Sequence, residues 1–359
     1  MKHIAVDARM IQDSGIGTVI RNVLNRLISQ RRDWHFYVIG NERKLQSYSW
    51  LQDKNVHLID AEAPIYSVKE QFEIPRLIPQ DTDILWVPHY NIPVFYRGKI
   101  VVTVHDLFHV AMSQFVHGIH RKMYAKMMFR AVAQKADRIV CVSDFTRREL
   151  ARFVSVKPEK VYVVYNGVDS FWSQPLQREK RIYEKPYILY VGNVKPHKNL
   201  RRLVVAFEKL SDQIPQNLII VGKKEGFITG DDEVARLAEK AGERILFTGF
   251  VSDEDLKHYY HYADLLVFPS LYEGFGLPPL EAMAAGCRRL LCSDIPVLRE
   301  IYGDTAVYVD PYDCDAIAKG IEESLRQAGK ENRALLAKYN WNVCAGEYEK
   351  LFEQILCKS

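Results

Sequence analysis

Two carboxylates with seven residues between them, Glu273 and Glu281, enclose Gly274-Phe275-Gly276-Leu277-Pro278-Pro279-Leu280. A carboxylate accepts hydrogen bonds and cannot donate them, so it suits a pair of neighbouring hydroxyls. Gly274 and Gly276 let the backbone turn tightly and approach a ligand. Pro278 or Pro279 fits a first helical turn, where a missing N–H leaves no bond unmade. The free amides of such a helix start attract phosphate, while Glu281, placed in its first turn, repels phosphate and accepts hydroxyls. Glu281 therefore suits the diol of a sugar or ribose. A second chemical stretch, Gly192-Asn193-Val194-Lys195-Pro196-His197-Lys198, runs into a helix whose first turn carries Arg201 and Arg202. Cations at the positive end of a helix are unfavourable unless an anion is near, which hints at a diphosphate; Arg201 and Arg202 themselves read as solvated. His105 closes a third stretch, an apolar run at 99–104.

These groups need elements to position them. Residues 263–270 form an apolar run of strand length, and Glu281-Ala282-Met283-Ala284-Ala285 favours helix, so the glutamate pair lies on a strand, loop and helix unit. Strands are expected at 3–8, 34–39, 56–59, 84–87, 99–104, 138–142 and 161–165, with helices between them. Ligands in open parallel sheets sit beyond the carboxyl ends of the strands, where His105 falls. Gly15 and Gly17 mark a turn between the first strand and a helix expected at 19–29. Asp81-Thr82-Asp83 precedes a strand and reads as a turn rather than a metal site. Ser143 is the expected cap of the helix after 138–142. Residues 171–186 are polar, proline-bearing and without period, the composition of an interdomain linker. A second series follows, with a strand at 187–191 and strand ends at 217–222 and 245–253. The expected division is 1–170, linker 171–186, 187–341, and a terminal helix at 342–359 crossing back onto the first domain. Two such arrays make an α/β chain of two doubly wound, Rossmann-like domains facing across a cleft.

A length of 359 residues is more than one core usually serves, and 48% hydrophobic with 26% charged residues is the composition of a soluble globular protein. No apolar run approaches a membrane span, and Met1-Lys2-His3 passes straight into an expected strand, so a cytoplasmic location is expected. Six cysteines without zinc spacing read as reduced thiols. A net charge of +4 is too mild to imply nucleic acid.

The stretch from Glu273 to Glu281, with its inner Gly-Phe-Gly-Leu-Pro, resembles the paired-glutamate motif of the family-4 retaining glycosyltransferases, which have the two-domain GT-B fold. Thr103-Val104-His105-Asp106-Leu107 and Asn166-Gly167-Val168-Asp169 resemble that family as well, and the resemblance covers nearly the full chain. It implies that Glu281 holds the nucleotide ribose, that Glu273 lies beside the donor sugar, and that the amides of Gly274, Phe275, Gly276 and Leu277 meet sugar and diphosphate. His105 would approach the donor sugar and Lys198 the diphosphate. Asn193 stands where many members carry a diphosphate-binding arginine, and Lys195 is the candidate substitute. The segment of Phe250 and Val251 would meet the base, although Phe250 reads equally well as core. Gly15 and Gly17 would line the cleft opposite the donor. Gly286-Cys287-Arg288-Arg289 departs from the family's shorter apolar strand, and no role follows for the arginines.

The resulting expectation is a retaining, metal-independent hexosyltransferase of polysaccharide biosynthesis. It would use a nucleotide diphosphate sugar, GDP-mannose as first choice, no cofactor, and a glycan or lipid-linked glycan as acceptor. A GT-B epimerase, a phosphorylase and a catalytically silent sugar-nucleotide-binding subunit are the alternatives. The helical stretch at 117–134 adds a surface: Ile119, Met123, Met127 and Ala131 share a face expected to pack on the sheet, while Lys122, Lys126, Arg130 and Phe129 are expected to meet an anionic membrane.

Overall fold

The computed structural model describes residues 2–116, 118–178, 180–222 and 242–357. Of the expected segments, Met1, His117, Glu179, residues 223–241 and positions 358 and 359 lie outside them. The chain divides into two compact units, one of residues 1–167 with 339–359 and one of residues 168–338.

The first unit is built on a parallel sheet in the order β3-β2-β1-β4-β5-β6-β7. Its strands are β1 (Lys2–Asp7), β2 (Trp34–Gly40), β3 (Val56–Asp60), β4 (Ile84–Val87), β5 (Ile100–Val104), β6 (Arg138–Cys141) and β7 (Val161–Val163). The residues of β4 and β5 are buried throughout, as near-continuous apolar strands covered on both faces should be. Chain order reverses between β1 and β4, the switch point at which an open α/β sheet offers a crevice. The first helix, Ser14–Gln30, begins earlier than expected, so Gly15 and Gly17 are its first turn and not a loop before it. Gly17 is required there, since a β-carbon would stand 2.3 Å from the Ile11 carbonyl oxygen.

The terminal helix, Trp341–Leu356, belongs to this first unit and packs on Ser14–Gln30. Tyr348 lies 5.1 Å from Trp86, centroid to centroid, and its hydroxyl is 2.8 Å from the Thr103 hydroxyl. Gly167 sits where the departing chain meets the returning one. A β-carbon on it would lie 2.2 Å from the Asn340 carbonyl carbon.

The second unit repeats the plan with order β10-β9-β8-β11-β12-β13, again parallel. The strands are β8 (Tyr187–Val191), β9 (Asn217–Val221), β10 (Ile245–Gly249), β11 (Leu265–Phe268), β12 (Leu290–Ser293) and β13 (Val307–Val309). Its switch point lies between β8 and β11. The start of the expected linker is packed here: Trp172 is buried in the turn Ser170–Ser173, and the Lys257 ammonium stands 4.3 Å over the Phe171 ring.

Candidate active site

The β8 and β11 loops meet at the switch point of the second sheet. Lys198 comes from the turn Pro196–Lys198 after β8, and Glu273 from the loop after β11. Their charges pair, Nζ to Oε1 at 2.6 Å, with the side chains 23% and 13% exposed. The two loops are stitched by backbone as well, the Leu271 amide donating to the His197 carbonyl at 2.7 Å. Asn199, which the sequence reading passed over, fixes the junction. It is buried, takes a left-handed backbone (φ 60), and its side-chain amide donates to the carbonyls of Pro269 at 3.0 Å and Pro311 at 2.7 Å. The legible signal was an asparagine directly before a helix, the non-glycine residue that best tolerates this conformation. Arg202 donates to the Asn199 side-chain oxygen at 2.9 Å, so it is a brace for this junction rather than a solvated cation.

Gly276 precedes the helix Leu277–Ala284 at φ 89, with Pro278 in the first turn. A β-carbon there would be 3.0 Å from a Leu298 methyl. The buried Tyr302 hydroxyl donates to the Gly276 carbonyl and holds the loop from below. Because the helix begins at Leu277, Glu281 lies a turn further in than expected. Its Oε2 accepts from the Tyr260 hydroxyl at 3.1 Å. Burial, then the Glu281 charge and hydrogen bond, push the Tyr260 phenol well above its ordinary value. Tyr190, at the end of β8, is likewise raised by burial and by the Glu273 charge.

The ends of β8, β9 and β10 form a continuous edge. The Gly192 amide donates to Val221 and the Gly222 amide to Gly249, both at 3.0 Å, and Gly222 has no room for a β-carbon against Gly192. Phe250 follows β10 and is 80% exposed, so the core reading of this residue is wrong; Val251 is partly buried. Asn193 is partly buried, Lys195 is exposed, and the Lys195 amide donates to the Asn193 carbonyl at 3.0 Å. Arg289 donates to the Gln327 carbonyl at 2.8 Å, and Arg288 pairs with Glu331 at 2.7 Å, so this arginine pair clips a loop to the start of β12.

In the first unit His105 follows β5, and its Nε2 lies 2.9 Å from the Pro88 carbonyl. That oxygen only accepts, so Nε2 carries the proton of the neutral ring. Burial pushes the imidazole down to about 4. Asp106 accepts from the Phe108 amide at 2.9 Å, at the start of the next short helix. Gly15, in the first helical turn, has an exposed backbone with nothing within 4 Å of its missing β-carbon. Asp81 and Asp83 accept from Tyr37 and from the His3 amide, respectively, as strand-end contacts. Among the described residues no group of three His, Cys, Asp or Glu side chains could hold a metal ion.

A second charged constellation, not foreseen, occupies the β1/β4 switch point. Asp7 is fully buried and accepts from Arg9 at 2.6 and 2.9 Å; Arg9 also pairs with buried Glu70 at 3.0 Å, and His89 lies 3.3 Å from Asp7. Burial alone would raise the Asp7 carboxyl, but the Arg9 guanidinium and His89 hold it well below the usual range. The signal was a pair of opposite charges bracketing Ala8 at the end of a buried strand.

Residues 14–170 match the model of Glycosyltransferase Family 4, and residues 174–341 that of Glycosyl transferases group 1. The chain is 30% identical over 275 residues to the O-antigen chain mannosyltransferase B of Escherichia coli, covering 71% of each. It is 31% identical over 257 residues to the O-antigen chain mannosyltransferase RfbU of Salmonella typhimurium, covering 71% of this chain and 69% of that one. This chain belongs to glycosyltransferase family 4. The family-4 chain also matches about a third of a longer protein, the serotype-specific mannosyltransferase WbdA of Escherichia coli, at 29% identity with 73% of this chain and 34% of that one covered. Sucrose-phosphate synthase from Thermosynechococcus elongatus shares its fold at TM-score 0.78 and 20% identity, with full coverage of both chains. Anabaena Alr3699/HepE in complex with UDP-glucose does so at 0.74 and 14%, covering 99% and 100%. The fold is therefore GT-B, as expected.

One surface of this glycosyltransferase corrects its sequence reading. The helix Ile119–Lys135 buries Ala125, Met128, Phe129, Val132 and Ala133. Phe129 is wholly inside, stacked on Tyr90 at 4.6 Å, and so cannot meet a membrane. Ile119, Met123 and Met127, expected against the sheet, are exposed instead, beside exposed Lys126 and Arg130; Lys122 is partly buried at the border. The buried set recurs at intervals of three and four along the helix, the spacing of a core face, whereas the chosen stripe used intervals of four alone. No described helix is long and apolar enough to cross a membrane.

Proposed function

We propose that this glycosyltransferase moves mannose from GDP-mannose to a hydroxyl of a glycan or lipid-linked glycan, with retention of configuration and without a metal. The observation that carries the reading is Lys198 paired with Glu273 at the β8/β11 switch point, beside the Gly276 helix start. Negative charge grows on the leaving diphosphate as its bond to the sugar breaks. An ammonium has three donors, so Lys198 can hold Glu273 and still serve a phosphate oxygen, with the helix amides as second source of stabilisation. Glu273, held by the lysine, is an anchor rather than a nucleophile. The new bond to the acceptor oxygen then forms on the face the diphosphate leaves, and a phosphate oxygen takes the acceptor proton. Two relatives carry the name O-antigen chain mannosyltransferase, which supports mannose as the sugar. Incubation with a panel of sugar nucleotides, with and without chelator, tests this. GDP release from GDP-mannose, undiminished by the chelator, is expected; release that needs added manganese, or from no donor at all, contradicts it.

The acceptor is read as lying at an anionic membrane, from the inner face. Ile119, Met123 and Met127 offer apolar side chains and Lys126 and Arg130 the cations between them, a helix face suited to insertion among acidic headgroups. Each basic residue near such a surface contributes about 1 kcal/mol. Liposome flotation checks it. The wild type should float with anionic and not neutral vesicles, and a Met123→Ser, Met127→Ser, Lys126→Glu variant should stay at the bottom. A wild type that ignores both at low salt has a soluble acceptor.

A further inference from the structure

We propose that Tyr260 is a positioning residue for ribose recognition, its phenol setting the Glu281 carboxylate in the orientation that receives a nucleotide diol. The proposal rests on the reading of Glu281 as the ribose acceptor and adds the group that orients it. Tyr260 lies on the helix Asp253–Tyr262, is wholly buried, and its ring stands edge-on to buried Trp172 at 5.5 Å. The ring has one place to be. Its hydroxyl meets Glu281 Oε2 at 3.1 Å, and since a carboxylate only accepts, the phenol donates. Burial and the Glu281 charge keep that proton on the phenol at every working pH. A carboxylate offers about four lone-pair sites, and the phenol takes only one of them. Glutamate loses much rotamer freedom when it binds a ligand, and a rotamer fixed in advance moves that cost from binding to folding.

The loop has a second phenol with a different task. Tyr302 donates to the Gly276 carbonyl and so holds main chain, not carboxylate. A hydroxyl that supports the loop should matter equally to every ligand. One that orients Glu281 should matter only to ligands with a diol. Tyr302→Phe is thus the control for Tyr260→Phe.

The test is calorimetry with GDP and UDP, each beside its 2′,3′-dideoxy form. The wild type should prefer the ribose form of whichever nucleotide it binds. Tyr260→Phe should weaken the ribose form roughly three- to tenfold and the dideoxy form by no more than about twofold, the loss of one hydrogen bond with shape retained. Tyr302→Phe should leave the preference intact. Equal loss for both forms in Tyr260→Phe, or no loss, overturns the proposal. Glu281→Gln separates the two levels. If it leaves the ribose preference intact, the ribose reading of Glu281 fails and this proposal with it; if it removes the preference while Tyr260→Phe does not, the role of Tyr260 alone fails.

Discussion

Glu273 and Glu281 are the same functional group in two environments, one facing an ammonium and the other a phenol. The function proposed above gives them different ligands. Glu281→Gln replaces an acceptor-only group by one that accepts through a single atom, and should lower nucleotide affinity in calorimetry. Glu273→Gln should keep nucleotide binding and lower turnover; the opposite pattern would mean that the two roles are exchanged. His105 carries a pH prediction. Its folded value, about 4, is below the ordinary 6.5, so its contribution to stability is complete above 6.5 and is lost as pH falls toward 4. Denaturant unfolding at pH 7, 5.5 and 4 should show that loss in the wild type and a flatter response in His105→Gln. An identical response in both would contradict the neutral buried imidazole. Lys198, Glu273 and Glu281 could be singled out as candidates because they sit in short stretches that resemble the family's motifs. Tyr260 left no such mark, since it acts on a partner 21 residues away; Asn199 was marked by its place directly before a helix, but its partners, 70 and 112 residues away, were not.

Among elements, the helix Ile119–Lys135 is the case where pattern and structure part. Its sequence holds two apolar stripes, and only the buried one recurs at the intervals of three and four that mark a core face. Phe129 fixes that face in the folded chain, because Tyr90 from the loop after β4 presents a ring for it to stack upon. Phe129→Ala should therefore destabilise by about 3 to 5 kcal/mol, while Met127→Ser on the exposed face should change stability by less than about 0.5 kcal/mol. Urea titration of both variants checks this, and equal effects would place the helix in the other rotation. The glycine turn after β1 erred differently. Gly15 and Gly17 looked like loop residues, yet Gly17 is needed inside the helix because the Ile11 carbonyl crowds it.

For the whole molecule, alternating apolar strands and helices made both parallel sheets readable, because strands buried on two faces leave nearly continuous apolar runs. The reversal of strand order that creates each switch point left no local mark. It follows from pairing β1 with β4 and β8 with β11, contacts between segments far apart in sequence. The central claim is that the second of these switch points is the donor site and that Lys198 is its charge-stabilising group. Turnover of Lys198→Ala at saturating donor, with the melting transition recorded on the same sample, tests it most directly. Loss of one charge-assisted contact to the leaving group should cost about 2 to 4 kcal/mol of transition-state stabilisation, a rate lower by roughly thirty- to a thousandfold, with melting nearly unchanged. Wild-type turnover in that variant would contradict the claim.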